Sequence, residues 1–233
     1  MTDPALTTSQ VNKAGKTLRS WVRGELVDEA NYRAALEVLL RFRAAHQLPL
    51  TKATMGLRSM VSTEGCRVEV TQRLKREPTI LDKLRREPTL ALATMQDVGG
   101  CRAVLDSIDE VRRVQRRLSK RRPPTRVSDY VSDPRSSGYR GVHLIVVYDE
   151  RSIEVQLRTR VMHEWAITVE RLSGRLDTDL KSGVGPAPVL ELLEAISQAM
   201  ALEEEDAVVE PELIETLSRL RESALPLLGG GAS

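Results

Sequence analysis

Two acids, Asp97 and Glu154, sit where side chains can do chemistry. Asp97 opens Asp97-Val98-Gly99-Gly100-Cys101-Arg102, and Glu154 lies in Ile153-Glu154-Val155-Gln156-Leu157-Arg158. Each stands beside an apolar run with strand character. A carboxylate at the edge of a strand is held on a rigid scaffold, so it can hold a cation or accept a proton with defined geometry. Between them lies Ser136-Ser137-Gly138-Tyr139-Arg140-Gly141-Val142-His143, a loop carrying an aromatic ring, a cation and an imidazole. Two carboxylates and a cationic, aromatic loop suit a site for a metal-bound polyphosphate and a nucleobase.

Further cations precede Asp97. Arg73 and Lys75 are two apart, and on an extended segment that spacing puts both on one face, where they can grip a triphosphate. Lys83 follows in a short helix that Pro78 starts. There is no glycine-rich Walker loop and no Gly-x-Gly-x-x-Gly opening a helix. Any bound nucleotide must therefore draw its phosphate neutralisation from side chains.

The elements that position these residues follow from periodicity. Helical spacing covers Val11–Arg23, a stretch capped by Asp28 and running to Ala45, and Leu50–Met60. Strands are expected at Cys66–Arg73, Asp97–Leu105 and Val127–Val131. Val142–Tyr148 and Ile153–Leu157 should form a hairpin around Asp149-Glu150-Arg151. Helices are expected at Ile108–Leu118, Thr159–Leu172, Val189–Glu204 and Glu212–Glu222, the last two amphipathic. Lys181–Pro188 reads as a Gly/Pro linker, and residues 1–10 and the Gly229-Gly230-Gly231 tail as disordered. The order implies an α/β (α+β) fold: a mixed β-sheet with flanking helices and helical additions at both ends. Divided by character, 1–64 is a leading helical region, 65–175 carries the chemistry, and 186–225 is a trailing helical extension.

Composition narrows the class. The chain has 233 residues, 41% hydrophobic and 29% charged, enough for a buried core in a soluble protein. No apolar run approaches the ~20 residues that span a bilayer. Met1–Gln10 lacks a signal pattern, so a cytoplasmic protein with no membrane partner is expected. Cys66 and Cys101 fit buried, reduced thiols. A net charge of +2 excludes a general polyelectrolyte binder, and 3% aromatics argue against a base-stacking platform for single strands. Charge is uneven: 112–126 is strongly basic and 203–215 acidic.

Taken together, Arg73-Leu74-Lys75, Asp97-Val98-Gly99-Gly100-Cys101-Arg102, Ser137-Gly138-Tyr139-Arg140-Gly141-Val142-His143 and Glu154-Val155-Gln156-Leu157-Arg158-Thr159 resemble, in that order, the synthetase domain of the RelA/SpoT family. The resemblance covers about residues 65 to 175. It implies a nucleotidyltransferase-type fold and transfer of the β,γ-pyrophosphate of ATP, with Mg²⁺, to a ribose 3′-hydroxyl. It implies that Asp97 binds the metal and that Glu154 completes the metal site or acts as base. Arg73, Lys75, Lys83 and Arg102 would hold ATP. Tyr139 would stack on the acceptor base, His143 would contact acceptor phosphate or ribose, and Arg158 would meet developing charge or orient Glu154. His163 and Trp165 are expected to pack.

The length suits the small, single-domain synthetases. Within them the chain leans toward a toxic, antitoxin-paired and phage-associated branch that modifies the 3′-CCA end of tRNA. Three features point that way: Gly141 after Tyr139-Arg140, the segment Met162-His163-Glu164-Trp165-Ala166, and the basic cluster ending in Lys120, Arg121 and Arg122, suited to acceptor-stem phosphates. The alternative acceptor is GDP or GTP. A third reading is a catalytically inert nucleotide- or RNA-binding regulator, against which the retained Asp97 and Glu154 both argue. The trailing helices are expected to cap the domain, with an antitoxin surface as the alternative. Homo-oligomer formation stays open.

Overall fold

A computed structural model describes residues 6–229. Three helices lead: α1 (Thr8–Val22), α2 (Glu29–Ala44) and α3 (Gln47–Thr63). Thr7 and Gln10 form a capping box at the start of α1, so the helix begins three residues before the expected Val11. Residues 8–10 are therefore helical rather than disordered, while 1–5 and 230–233 lie outside the described residues. Asp28 accepts from the Asn31 amide and caps α2, as its spacing predicts.

Next come β1 (Val70–Leu74), α4 (Glu77–Arg86), β2 (Gly99–Leu105) and α5 (Ile108–Arg121). The first strand starts at Val70 rather than Cys66. The alternation over Cys66–Glu69 does bury Cys66, but the register opens only at Val70 opposite Ala103. Alternation reports which side faces a core; a strand also needs a partner. β3 (Arg126–Asp129), β4 (Val142–Tyr148) and β5 (Arg151–Thr159) complete the sheet. Asp149 and Glu150, with φ of 44° and 63°, make a two-residue hairpin turn between the last two strands, the left-handed pair that matches strand twist. α6 (Arg160–Leu176), capped by Thr159, is followed by α7 (Ala187–Glu204) and α8 (Pro211–Gly229).

The sheet order is β1-β2-β5-β4-β3, with β2 and β5 parallel and the other pairs antiparallel. This is the mixed sheet with flanking helices that the sequence predicts. Its two faces differ. On one, Cys101, Ala103 and Leu105 of β2 and Ile153, Val155 and Leu157 of β5 pack against α3 and α5. The alternate residues Arg102, Glu154, Gln156, Arg158 and His143 therefore point to the other face. The period of two turns an apolar core on one side into a polar surface on the other.

Two further clusters flank that polar face. α1, α2 and α4 enclose Leu18, Leu39, Ile80 and Leu92. α6, α7 and α8 enclose Tyr139, Trp165, Leu193 and Leu220. The trailing helices thus cap the fold, burying Trp165, whose Nε1 donates to Leu193 O at 3.1 Å. Among the described residues no helix is long and apolar enough to cross a membrane.

Candidate active site

Asp97 sits in the turn before β2, and Glu154, on β5, is paired with Gly100 of β2. Both acids line the same two clefts on the polar sheet face. One, about 250 Å³, is walled by Arg73, Arg102, Arg158, Glu170 and Lys181. The other, about 390 Å³, is walled by Lys83, Arg126, Tyr130, Arg135 and His143. Two polar compartments thus meet at one acid pair.

Each acid is held by cations or donors. Lys75 Nζ lies 2.8 Å from Asp97 Oδ2, and Lys83 Nζ 3.1 Å from both carboxylate oxygens. Burial works against ionisation, but the two ammonium groups outweigh it and keep the Asp97 carboxyl below its ordinary pKa. Around Glu154, His143 Nδ1 lies 3.0 Å from Oε1, and Gln156 Nε2 donates to Oε2 at 2.5 Å. Burial again opposes ionisation, and these two donors prevail, holding Glu154 well below the usual carboxylate range. Burial pushes the His143 pKa down, so the ring is neutral near pH 7. Its Nδ1–H then donates to Glu154, and Nε2 accepts from the Tyr139 hydroxyl at 2.5 Å.

The Arg158 side chain is buried. Its Nη2 donates to Gln156 Oε1 at 2.9 Å, but among the described residues Nε and Nη1 have no hydrogen-bond partner, nor does Arg102 Nε. Buried guanidinium donors left open beside a polar cleft call for an anion. A divalent cation also fits. The acids supply only hard oxygens, and among the described residues no group of three His, Cys, Asp or Glu could cage a metal. Carboxylate oxygens are the donor type that would hold Mg²⁺.

Two expectations are corrected. Tyr139 has no exposed surface. Its ring lies under α7, edge-on to Tyr130, with Arg158 5.0 Å from its centroid. It cannot offer a face to a base; the half-buried Tyr130 is the aromatic residue that lines the larger cleft. The second concerns Lys120, Arg121 and Arg122. They lie on and just after α5, whose apolar side packs the opposite sheet face, so they are remote from the acid pair. Lys120 and Arg121 line a groove of about 450 Å³ with Glu64. Arg122 is spent on packing, 3.9 Å over the Tyr148 ring and bonded to Val147 O.

Several residues of the site had no assignment from sequence. Gln156 shares the 154/156/158 alternation, a usable signal. Tyr130 and Arg135 come from stretches that read as strand and turn, Arg126 from the end of the basic stretch 112–126, and Lys181 from what read as linker.

Known proteins resemble the chain in sequence and fold. The sequence profile described as "Region found in RelA / SpoT proteins" matches residues 72–171. GTP pyrophosphokinase YjbM of Bacillus subtilis is 32% identical over 158 residues, spanning 63% of this chain and 73% of that one. Relatives in Mycobacterium bovis and Mycobacterium tuberculosis are 33% identical over 143 residues, and the match spans 52% of their length. The solved structure of small alarmone synthetase 1 from Bacillus subtilis, bound to its product pppGpp, aligns with a TM-score of 0.62 at 26% identity. That alignment covers 73% of this chain and 94% of that one. Small alarmone synthetase 2 from the same organism, 20% identical with a TM-score of 0.61 over 72% of this chain and 95% of that one, shares the fold. The chain belongs to the RelA/SpoT family, as a pyrophosphotransferase of the small alarmone synthetase type.

Proposed function

We propose that the protein transfers the β,γ-pyrophosphate of ATP to the 3′-hydroxyl of GDP or GTP. The observation that carries this reading is the pair of polar clefts that share Asp97 and Glu154: one compartment for the donor, one for the acceptor, with the transfer point between. The smaller cleft suits ATP, because Arg73, Arg102 and Arg158 present cationic and planar groups there. The larger suits the acceptor, with Arg126 and Arg135 for its phosphates and Tyr130 for stacking or hydrogen bonding.

In this reaction the acceptor 3′-oxygen attacks the β-phosphorus, the bond to the bridging α-phosphate oxygen breaks, AMP departs with that oxygen, and the hydroxyl proton passes to solvent water. Pyrophosphoryl transfer needs alignment and charge neutralisation more than covalent chemistry. Asp97 and Glu154 would hold Mg²⁺, which would draw charge off the transferred oxygens. Lys75 and Lys83 keep Asp97 ionised and can turn toward phosphate. Glu154, a weak base because its pKa is depressed, orients the hydroxyl by accepting its hydrogen bond. His143 and Gln156 fix the carboxylate in that pose.

The tRNA acceptor is the second reading, with an antitoxin-controlled toxin as its setting. Gly141 favours it. The basic cluster does not, because it lies across the sheet from the acid pair. Incubation with ATP labelled on the γ-phosphate tests the choice, with GDP and GTP in one tube and deacylated tRNA in another. Label in the nucleotides is expected. Label only in tRNA reverses the acceptor, and label in neither removes the reaction.

A further inference from the structure

We propose that Lys181 is a polyphosphate-binding residue: its ammonium rests on Glu170 in the unliganded fold and moves to a phosphate oxygen of the bound nucleotide. This rests on the reading of the two clefts as a pyrophosphotransferase site.

Lys181 lies beyond the stretch 72–171 that the family profile matches. It sits in the single 3-10 turn Leu180–Ser182 between α6 and α7. That turn is built into the site by groups other than the lysine side chain. Leu180 is fully buried, and its amide donates to Ser173 Oγ at 3.2 Å. Arg86 donates to Asp179 at 2.6 Å, tying the turn to α4. Ser137, in the loop between β3 and β4, donates to the Lys181 carbonyl at 2.9 Å. The backbone position of Lys181 is thus fixed from three sides, and the fold does not need its ammonium.

The ammonium is in an unbalanced place. It lies 2.8 Å from Glu170 Oε1 and 4.9 Å from the Tyr139 ring centroid, on the wall that also carries Arg73, Arg102 and Arg158. Glu154 is taken up by His143 and Gln156, and Asp97 by Lys75 and Lys83. His143 and Gln156 are neutral, so Glu154 keeps its charge, and two carboxylates, Glu154 and the half-exposed Glu170, stand beside four cations. Burial and the neighbouring Arg158 press the Lys181 pKa down. Both strains end when a polyanion enters, because a phosphate chain offers several oxygens at once. A lysine serves this better than an arginine: its point charge sits on a flexible stem and can change partner without rebuilding a planar fork.

The test is calorimetric binding of inorganic tripolyphosphate and of ATP, with label transfer measured alongside. It compares wild type, Lys181→Ala, Lys181→Arg, the double variant Lys181→Ala/Glu170→Ala, and the exposed control Lys13→Ala. Lys181→Ala is expected to weaken both ligands about tenfold, the equivalent of one charge-assisted hydrogen bond, with an unchanged melting temperature. Lys181→Arg should recover part of that loss. The double variant decides between binding and bookkeeping of charge. If Lys181 only neutralises Glu170, removing both restores affinity and the proposal fails; if it grips phosphate, the double variant stays weak. Wild-type binding in Lys181→Ala also overturns it. A wild type that binds tripolyphosphate through Lys181 yet transfers no label keeps this residue and removes the reaction instead.

Discussion

His143 Nδ1 lies 3.0 Å from Glu154 Oε1 while Nε2 meets the Tyr139 hydroxyl at 2.5 Å. One imidazole therefore joins a fully buried phenol to the acid that both clefts share. The ring holds the carboxylate from behind, leaving its outer lone pairs for the cleft.

Replacing His143 by Ala removes both bonds at once. The Tyr139 hydroxyl loses its acceptor, and a buried polar group without a partner costs about 1–3 kcal/mol. Urea denaturation should show that loss. Label transfer should fall by about 10²-fold, because Glu154 is no longer aimed. His143→Gln, which keeps a donor in the same direction, should recover more of the activity than of the stability.

Asp97→Asn separates binding from chemistry. The amide keeps the shape but not the charge, and it turns an NH₂ toward Lys75 or Lys83. Transfer should fall by about 10³-fold, with the fold retained by circular dichroism. The magnesium concentration giving half-maximal rate should rise in any residual activity. Wild-type turnover in Asp97→Asn would show that this acid is only an ion-pair partner.

The polar site was only partly legible in the sequence. Asp97, Glu154, Arg73 and Lys75 stood out because acids and cations at strand edges have few structural uses. Glu154, Gln156 and Arg158 then follow on one face from the period of two. Tyr139 misled, because an aromatic in a glycine-flanked loop reads as exposed. Its burial comes from α7, more than fifty residues downstream, and no local pattern announces that contact. Lys120–Arg122 misled in another way: a basic helix end reads the same whichever sheet face its apolar side packs. Lys181 had no signal, because its position depends on Asp179, Ser137 and Ser173 meeting in space.

Acid should unfold the protein in two stages. Burial holds His46 and His143 below their ordinary 6.5. The unfolded chain takes up protons there before the folded chain does, so stability falls as pH drops below 6.5. Glu154 is depressed from 4.5, so the stability it contributes is present above 4.5 and is lost as pH falls toward its folded value of about 2. Urea midpoints measured from pH 8 to pH 3 should be flat, then decline in these two steps. His143→Gln should shrink both steps, because His143 is one of the groups that hold Glu154 down.

The ion pair of Arg140 with Glu204 fastens α7 to the loop 135–141. The groups are 2.6 Å apart and both buried, and Glu204 also accepts from Thr159 at the end of β5. Glu204→Ala leaves a buried guanidinium uncompensated, which costs about 3–5 kcal/mol. Because the pair bridges two elements, the loss should appear locally as well as globally. Hydrogen exchange of loop 135–141 should quicken more than that of β2.

Gly138 and Gly141 test the same junction from inside the loop. Gly138 has φ +84°, and a Cβ there would lie 2.9 Å from Ser197 Cβ and 3.0 Å from the Leu193 carbonyl. Gly141 has φ +150°, and its added Cβ would lie 3.1 Å from Arg158 Cγ and 3.3 Å from the Tyr139 hydroxyl. Both backbones are unfavourable for an L side chain. The consequences differ, however. Gly138→Ala strikes backbone and must push α7 away, so it should cost stability, about 1–3 kcal/mol, and loosen Trp165, seen as a red shift in its fluorescence. Gly141→Ser strikes the side chains that reach the active site. It should displace Arg158 and the Tyr139–His143 contact, lowering transfer more than stability. If Gly141→Ser left transfer intact while Gly138→Ala abolished it, the route from this loop to Glu154 would run through α7 rather than through His143.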